Sequence, residues 1–355
     1  MSHLNFYVLY LILNKMNLNK TASLEPTMKI IPNKAIEFLL ARGNLPILYW
    51  LKKDILEVPV EREFKNLQKF AARIRILKSQ GPNGGWRKKK YEGHPRWEKT
   101  YYIVETLKNV FKLYNFGCSH EDEGIKKAIK FLFSTQSKTG DFRGAYLNEY
   151  APTYHALTLE ILCLLGLDKD ERTQKGFRWI IKNRQNDGGW VIPYRTIDRE
   201  QLKSRYNFEA QLKLEPVKPD KSRPFSHLVT GMVLRALAAS PTWRKSKEAW
   251  KAGELLQSRF FSEDKYDDRW HASFWEEITY PFWATDLLSS LDSLSQIGVS
   301  PENNKGAQKG LNWLLNKQIT QGYWESGSKK SVLEDDLWVT FAVLRVFKRF
   351  GLLEF

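Results

Sequence analysis

The sequence predicts an all-α protein whose helices alternate between an outer and an inner layer and close into an (α/α)6 toroid. Three observations carry this reading. A short unit of Gln, a Gly-containing turn and an aromatic residue recurs along the chain. The helix before each unit is amphipathic, whereas the helix after it is apolar on most sides. The two kinds alternate through twelve helices, enough to form a closed ring.

Taken in order, the pair 32-43 and 46-57 opens the chain. An outer helix over 64-80 then runs into QGPNGGW, from Gln80 to Trp86, and an inner helix over 97-116 follows. The outer helix 121-136 places Ile125, Ala128, Ile129, Leu132 and Phe133 three and four residues apart and ends in QSKTGDF, from Gln136 to Phe142. Its inner partner covers 151-166. The outer helix 170-185, with Phe177, Ile180 and Ile181 on one face, ends in QNDGGW, from Gln185 to Trp190, before the inner helix 224-239. A worn copy over 244-260 starts its turn at Gln257 and reaches a Trp at Trp270, ahead of the inner helix 279-297. The last outer helix, 304-318, repeats the pattern with Ala307, Leu311, Leu314 and Leu315. It ends in QITQGYW, from Gln318 to Trp324, before the inner helix 335-350. A linear stack of hairpins would need polar caps at both ends, and neither end of this chain reads as one. No run alternates with period two, so a β fold is excluded.

Composition bounds the function. The 355 residues carry 56 Lys and Arg against 40 Asp and Glu, a net charge of +16, with 42% hydrophobic residues and 13 Trp. That is too apolar for a disordered chain, and two cysteines, Cys118 and Cys163, supply no disulfide framework. The apolar stretch from Phe6 to Leu13 is far short of the roughly 20 residues of a spanning helix, and it lacks the flanks of a secretory signal. Residues 1-28 read as a poorly specified extension, and 29-355 as a single domain. The expected location is cytoplasmic. The basic residues fit a phosphorylated ligand or peripheral contact with an anionic membrane; no specific nucleic-acid motif appears, and the oligomeric state is open.

With these repeats on the page, the sequence resembles the α/α-toroid superfamily of squalene and oxidosqualene (terpenoid) cyclases and protein prenyltransferase β-subunits. The four Gln-to-aromatic turns are similar to that family's QW repeats, over about residues 30 to 355. The opening, Ala35 to Val58 with LPILYWLKKDIL, resembles the start of small stand-alone prokaryotic members. Such repeats stabilise a ring and do not select one activity.

In a ring of this kind the connections after the outer helices emerge at one end, beside the N-termini of the inner helices, and that end is the expected mouth. Three long connections collect there: Arg87 to Arg96, Val191 to Arg223 and Phe261 to Thr279. The inner-helix starts supply Trp97, Tyr101, Tyr102, Tyr154, His155, His227, Trp283 and Trp338. Aromatic faces stabilise cations and shed water, although aromatics at helical spacing also serve as plain core. Arg87, Lys88 and Lys89 are placed to bind a diphosphate.

The cluster Glu334-Asp335-Asp336 resembles the DxDD motif of class II terpene cyclases, whose third-position Asp protonates an alkene or epoxide. On that match Asp335 is the acid and Asp336 its neighbour, but Leu333 stands where the first Asp would be. Three acids at a helix start are equally explained by complementarity to the helix dipole. The zinc-dependent prenyltransferase pattern fails, since no Asp-x-Cys pair occurs; neither a metal nor a cofactor is expected. His155 and His227 are placed to approach one another near Asp286, or to be hydrogen-bonded core. The pairs Asp267-Asp268 and Glu276-Glu277 raise a carbohydrate-enzyme alternative, because sugar-cleaving toroids use two carboxylates about 5 to 9.5 Å apart. The expected ligand is an isoprenoid or other apolar molecule held in an aromatic-lined cavity, with acid-initiated cyclisation as the enzymatic form. A non-catalytic binding toroid and a carbohydrate-active enzyme are the alternatives.

Overall fold

The computed structural model describes residues 30-354 except 95-96, 205-213 and 267-268; the N-terminal extension and the pair Asp267-Asp268 lie outside the described residues. The helices are α1 (Asn33–Arg42), α2 (Leu45–Trp50, continued by a π turn Leu51–Ile55), α3 (Glu61–Leu67), α4 (Ala71–Lys78), α5 (Trp97–Asn115), α6 (Glu123–Ser134) and α7 (Pro152–Leu164). They continue as α8 (Glu171–Lys182), α9 (Arg199–Ser204), α10 (His227–Ala239), α11 (Lys247–Gln257), α12 (Leu287–Ile297), α13 (Lys305–Asn316) and α14 (Leu333–Arg349). Among the described residues no helix is long and apolar enough to cross a membrane.

The inner layer is α2, α5, α7, α10, α12 and α14; from α5 to α14 each packs on the next, and α14 returns to α1 and α2. Closure between α2 and α5 comes from Trp50, whose indole N–H donates to the Asn115 carbonyl at 2.7 Å. The chain ends are tied by a parallel bridge: Ile30 N–H donates to Leu352 O at 2.8 Å and Glu354 N–H to Ile30 O at 3.0 Å. The ring is therefore a closed all-α toroid.

The recurring turn works as a latch. Gln80 Nε2 donates to Gly84 O in its own turn and to Gly124 O at the next outer helix, at 2.8 and 2.7 Å. Gln136 does the same with Gly140 and Arg172. The indole N–H of Trp86, Trp190 and Trp324 donates to Ile76 O, Ile180 O and Leu314 O, in each case ten residues back on the outer helix. Their backbone N–H groups donate at 3.0 Å to the hydroxyls of Thr106, Thr230 and Thr340 on the inner helix. Each turn thus pins an outer helix to an inner one and, through Gln80 and Gln136, to the next repeat. Gly84 is required twice over: its φ is +91°, and a Cβ there would stand 2.2 Å from Lys127 O on α6.

Three boundaries differ from expectation. The first outer helix is broken at Phe70 into α3 and α4, which lets Leu67 pack near Gly117 and Phe70 meet Phe116 edge-on at 5.0 Å. The helix expected over 279-297 starts only at Leu287. Buried Asp286 caps it, accepting Ser289 N–H, and also accepts Thr279 N–H at 3.1 Å, holding Thr279 to Thr285 as a loop. In the worn repeat Trp270 is 48% exposed, and Trp275 takes the buried place, donating its indole N–H to Ser262 O at 3.0 Å.

Below the mouth, in the C-terminal halves of the inner helices, runs a girdle of buried charge. Arg235 on α10 chelates Glu160 on α7 at 2.6 and 3.1 Å and reaches Ala284 O. Asp292 on α12 pairs with Arg345 and Arg349 on α14 at 3.2 and 2.7 Å. Lys348 Nζ donates to the carbonyls of Asp54 and Ile55, and Tyr280 OH lies 3.3 Å from both Arg345 Nη1 and Asn115 Oδ1. Burial alone would raise the Asp292 pKa; Arg349 and Arg345 outweigh it and hold the carboxyl below the usual range.

Candidate ligand-binding mouth

On α5, Trp97, Tyr101, Glu105 and Lys108 recur at four, four and three residues and so share one face. The basic turn Lys89–Tyr91 folds over that face, stacking Tyr91 on Tyr101 with centroids 4.1 Å apart. Lys88 Nζ sits 5.2 Å from the Tyr101 ring and 3.4 Å from Glu105 Oε1. Lys108 Nζ lies 3.6 Å from the same oxygen and 5.2 Å over Trp283, from the loop before α12. Trp283 meets Tyr154 at the start of α7 at 6.3 Å; Tyr154 meets Tyr146 at 5.3 Å, and Tyr146 meets Tyr194 at 5.6 Å. All these rings are partly exposed. The result is an aromatic wall with two ammonium groups sharing one carboxylate.

Of the expected site residues, Lys88, Tyr101, Tyr154 and Trp283 converge here. Trp97 lies at the rim, as do the exposed Lys89 and Arg87, whose guanidinium stands 5.7 Å from the Tyr102 ring. Tyr102 itself turns outward against Phe131 on α6, at 4.9 Å. Glu105, Lys108, Tyr146 and Tyr194 were not expected. The signal for Glu105 and Lys108 was their charge on a face that an inner helix should bury.

Three expected residues prove to be part of the frame. Trp338 is buried, at 5.5 Å from Tyr280 and 6.0 Å from Phe341. His227 is buried against Trp275 at 4.7 Å, with Nε2 3.7 Å from Asp264, and burial lowers its pKa. His155 occupies the place that Thr106, Thr230 and Thr340 hold in the other repeats: its Nδ1 accepts Phe142 N–H at 3.1 Å, which leaves Nε2–H to donate to Gly176 O at 3.0 Å. The two histidines serve different repeats, and Asp286 is a helix cap.

Because His155 is fully buried, its pKa is pushed down to about 4 from 6.5. Between those values the unfolded chain takes up the proton and the folded chain does not. Stability is therefore lost as pH falls through that window, by on the order of 3 kcal/mol in all. Acid unfolding followed by circular dichroism is expected to show this slope, and His155→Thr to flatten it.

The acids at α14 are engaged at the helix start. Asp335 accepts Val332 N–H at 3.0 Å, Asp336 accepts Ser326 N–H at 2.7 Å and Ser331 Oγ–H at 3.1 Å, and exposed Glu334 accepts from Asn44 Nδ2 at 2.8 Å. Glu276 and Glu277 pair instead with Lys317 at 3.8 Å and Arg269 at 3.6 Å. Both cysteines are buried free thiols; Cys118 lies in the turn between α5 and α6 with its side chain inside, where burial pushes its pKa up to about 12. Among the described residues no group of three or more His, Cys, Asp or Glu is arranged to hold a metal ion.

No family model matches the chain, and no curated protein sequence does. Among solved structures it is similar to a protein from Actinoplanes, at 14% identity and a TM-score of 0.45, covering 90% of this chain and 98% of that one. An alpha-amylase from Clostridium perfringens is similar at 15% identity and a TM-score of 0.42, covering 91% and 87%. The type II terpene cyclase MstE from Scytonema is similar at 13% identity and a TM-score of 0.28, covering 80% and 97%.

Proposed function

We propose that this toroid is a binding protein for an amphipathic, isoprenoid-like molecule with an anionic head, received at the mouth and released unchanged. The observation that carries the reading is the pairing of Lys88 and Lys108 with aromatic faces around one carboxylate, Glu105. An apolar chain laid along Trp283, Tyr154 and Tyr146 leaves water, while a phosphate head takes the ammonium groups through charge-assisted bonds. Glu105 competes with that head, which keeps binding reversible. The carboxylates that acid-initiated cyclisation would need, Asp335 and Asp336, hold backbone and hydroxyl groups at the start of α14.

Titration calorimetry with farnesyl diphosphate tests this. Trp283→Ala and Lys108→Gln are each expected to weaken binding by about tenfold or more, and Glu105→Gln to strengthen it. Unchanged affinity in both weakening variants would remove the mouth from the account.

A further inference from the structure

A second, polar cleft shares no lining residue with the aromatic wall. It has a volume of about 470 Å³ and is bounded by the loop before α12 and the turn after Trp324, with Arg269, His271, Ser273, Glu277, Ser328 and Lys329 on its walls. The two walls meet backbone to backbone: Gly327 N–H donates to Ile278 O at 2.8 Å, and a Cβ on Gly327 would stand 2.4 Å from Glu277 Cα. The seam is therefore fixed by sequence, since any side chain at Gly327 would open it.

Arg269 is the unusual residue. Its φ is +61°, a left-handed conformation that a long side chain rarely adopts. The neighbouring backbone is fixed: the carbonyl of the next residue, Trp270, accepts Asp264 N–H at 2.8 Å. Backbone strain held in place this way is characteristic of ligand clamps. The guanidinium lies 4.5 Å over Phe274 and 3.6 Å from Glu277, and its Nε is buried without a hydrogen-bond partner. His271 Nδ1 accepts Ser273 N–H at 3.2 Å, which puts the ring proton on Nε2 as a further donor. Among the described lining residues, Arg269 and the exposed Lys329 stand against the carboxylate of Glu277, beside the hydroxyls of Ser273 and Ser328.

We infer that this cleft is a second binding site, for a phosphate or sulfate ester of a small polyhydroxylated molecule. The anion takes Arg269 and Lys329, and the hydroxylated part takes Ser273, Ser328 and His271. The volume suits a ligand of monosaccharide phosphate size. This site is independent of the isoprenoid reading of the mouth.

The test titrates the intact chain with inorganic phosphate, inorganic sulfate, glucose phosphate and glucose. The half-exposed Trp270, 5.4 Å from His271, serves as the fluorescent reporter, and calorimetry checks it. Glucose phosphate is expected to bind more tightly than either inorganic anion, and glucose not at all. Arg269→Gln and Lys329→Gln are each expected to weaken binding about tenfold or more, while Lys330→Gln leaves it unchanged. Lys329 is exposed, so its variant remains informative if Arg269→Gln does not fold. Absence of binding by every anion, equal binding of glucose and glucose phosphate, or an equal effect of Lys329→Gln and Lys330→Gln would each overturn the inference.

Discussion

Arg235→Met is expected to destabilise the fold by about 3–5 kcal/mol, because it strands a buried carboxylate. Glu160 is 9% exposed at its side chain and Arg235 2%, and three hydrogen bonds join them. Burial already pushes the Glu160 pKa up, and Arg235 is the principal group that counters it. Removing the guanidinium therefore leaves either an unpaired charge or a protonated acid among apolar helices. The double variant Glu160→Leu with Arg235→Met removes the whole pair and is expected to recover most of the loss, as buried ion pairs generally allow. Urea unfolding of the three variants measures this. A single-variant loss under about 1 kcal/mol would mean that water reaches the pair.

Trp190→Ala is expected to cost a similar amount, about 3–5 kcal/mol. The side chain is among the largest fully buried ones, and truncation removes both the packing and the indole bond to Ile180 O. The same substitution at half-exposed Trp270 is expected to change stability by about 0.5 kcal/mol or less. Comparable losses at the two positions would mean that the latch, as distinct from aromatic burial in general, is not what pins α8 to α10.

These two sites also mark what was legible in the sequence. The latch is local: Gln, Gly and Trp stand within seven residues, each doing a job that depends on its neighbours in the chain. Repetition therefore exposed both the ring and its order. The inner-layer partner of the latch is not local. Thr106, Thr230 and Thr340 follow their tryptophans at unequal distances because the mouth connections differ in length. Nothing in one repeat identified His155 as the substitute for that hydroxyl, and a histidine near a helix start read equally as chemistry or as hydrogen-bonded core. The girdle was hidden for a related reason. Glu160, Arg235 and Asp292 each appear as a single charge within an apolar helix, and only the ring brings opposite signs together.

At the mouth, the aromatic starts of the inner helices were visible, but their direction was not. A one-position rotation separates Tyr101, which stacks on Tyr91, from Tyr102, which packs outward on Phe131. The acids before Leu337 resembled a proton donor because a helix N-terminus attracts carboxylates in either role. Their hydrogen-bond partners became visible only in the fold. The late start of α12 had a similar cause: Phe282 to Ala284 look like helix, yet Asp286 and Ser289 form a capping box that begins it downstream.

The most direct test of the central claim is to incubate the protein with farnesyl and geranylgeranyl diphosphate, separate bound from free ligand, and identify what is bound by mass spectrometry. The account predicts saturable binding with the diphosphate recovered unchanged, and the same recovery from Asp335→Asn. A cyclic product that disappears in Asp335→Asn, or no binding of either diphosphate by the folded protein, would contradict it.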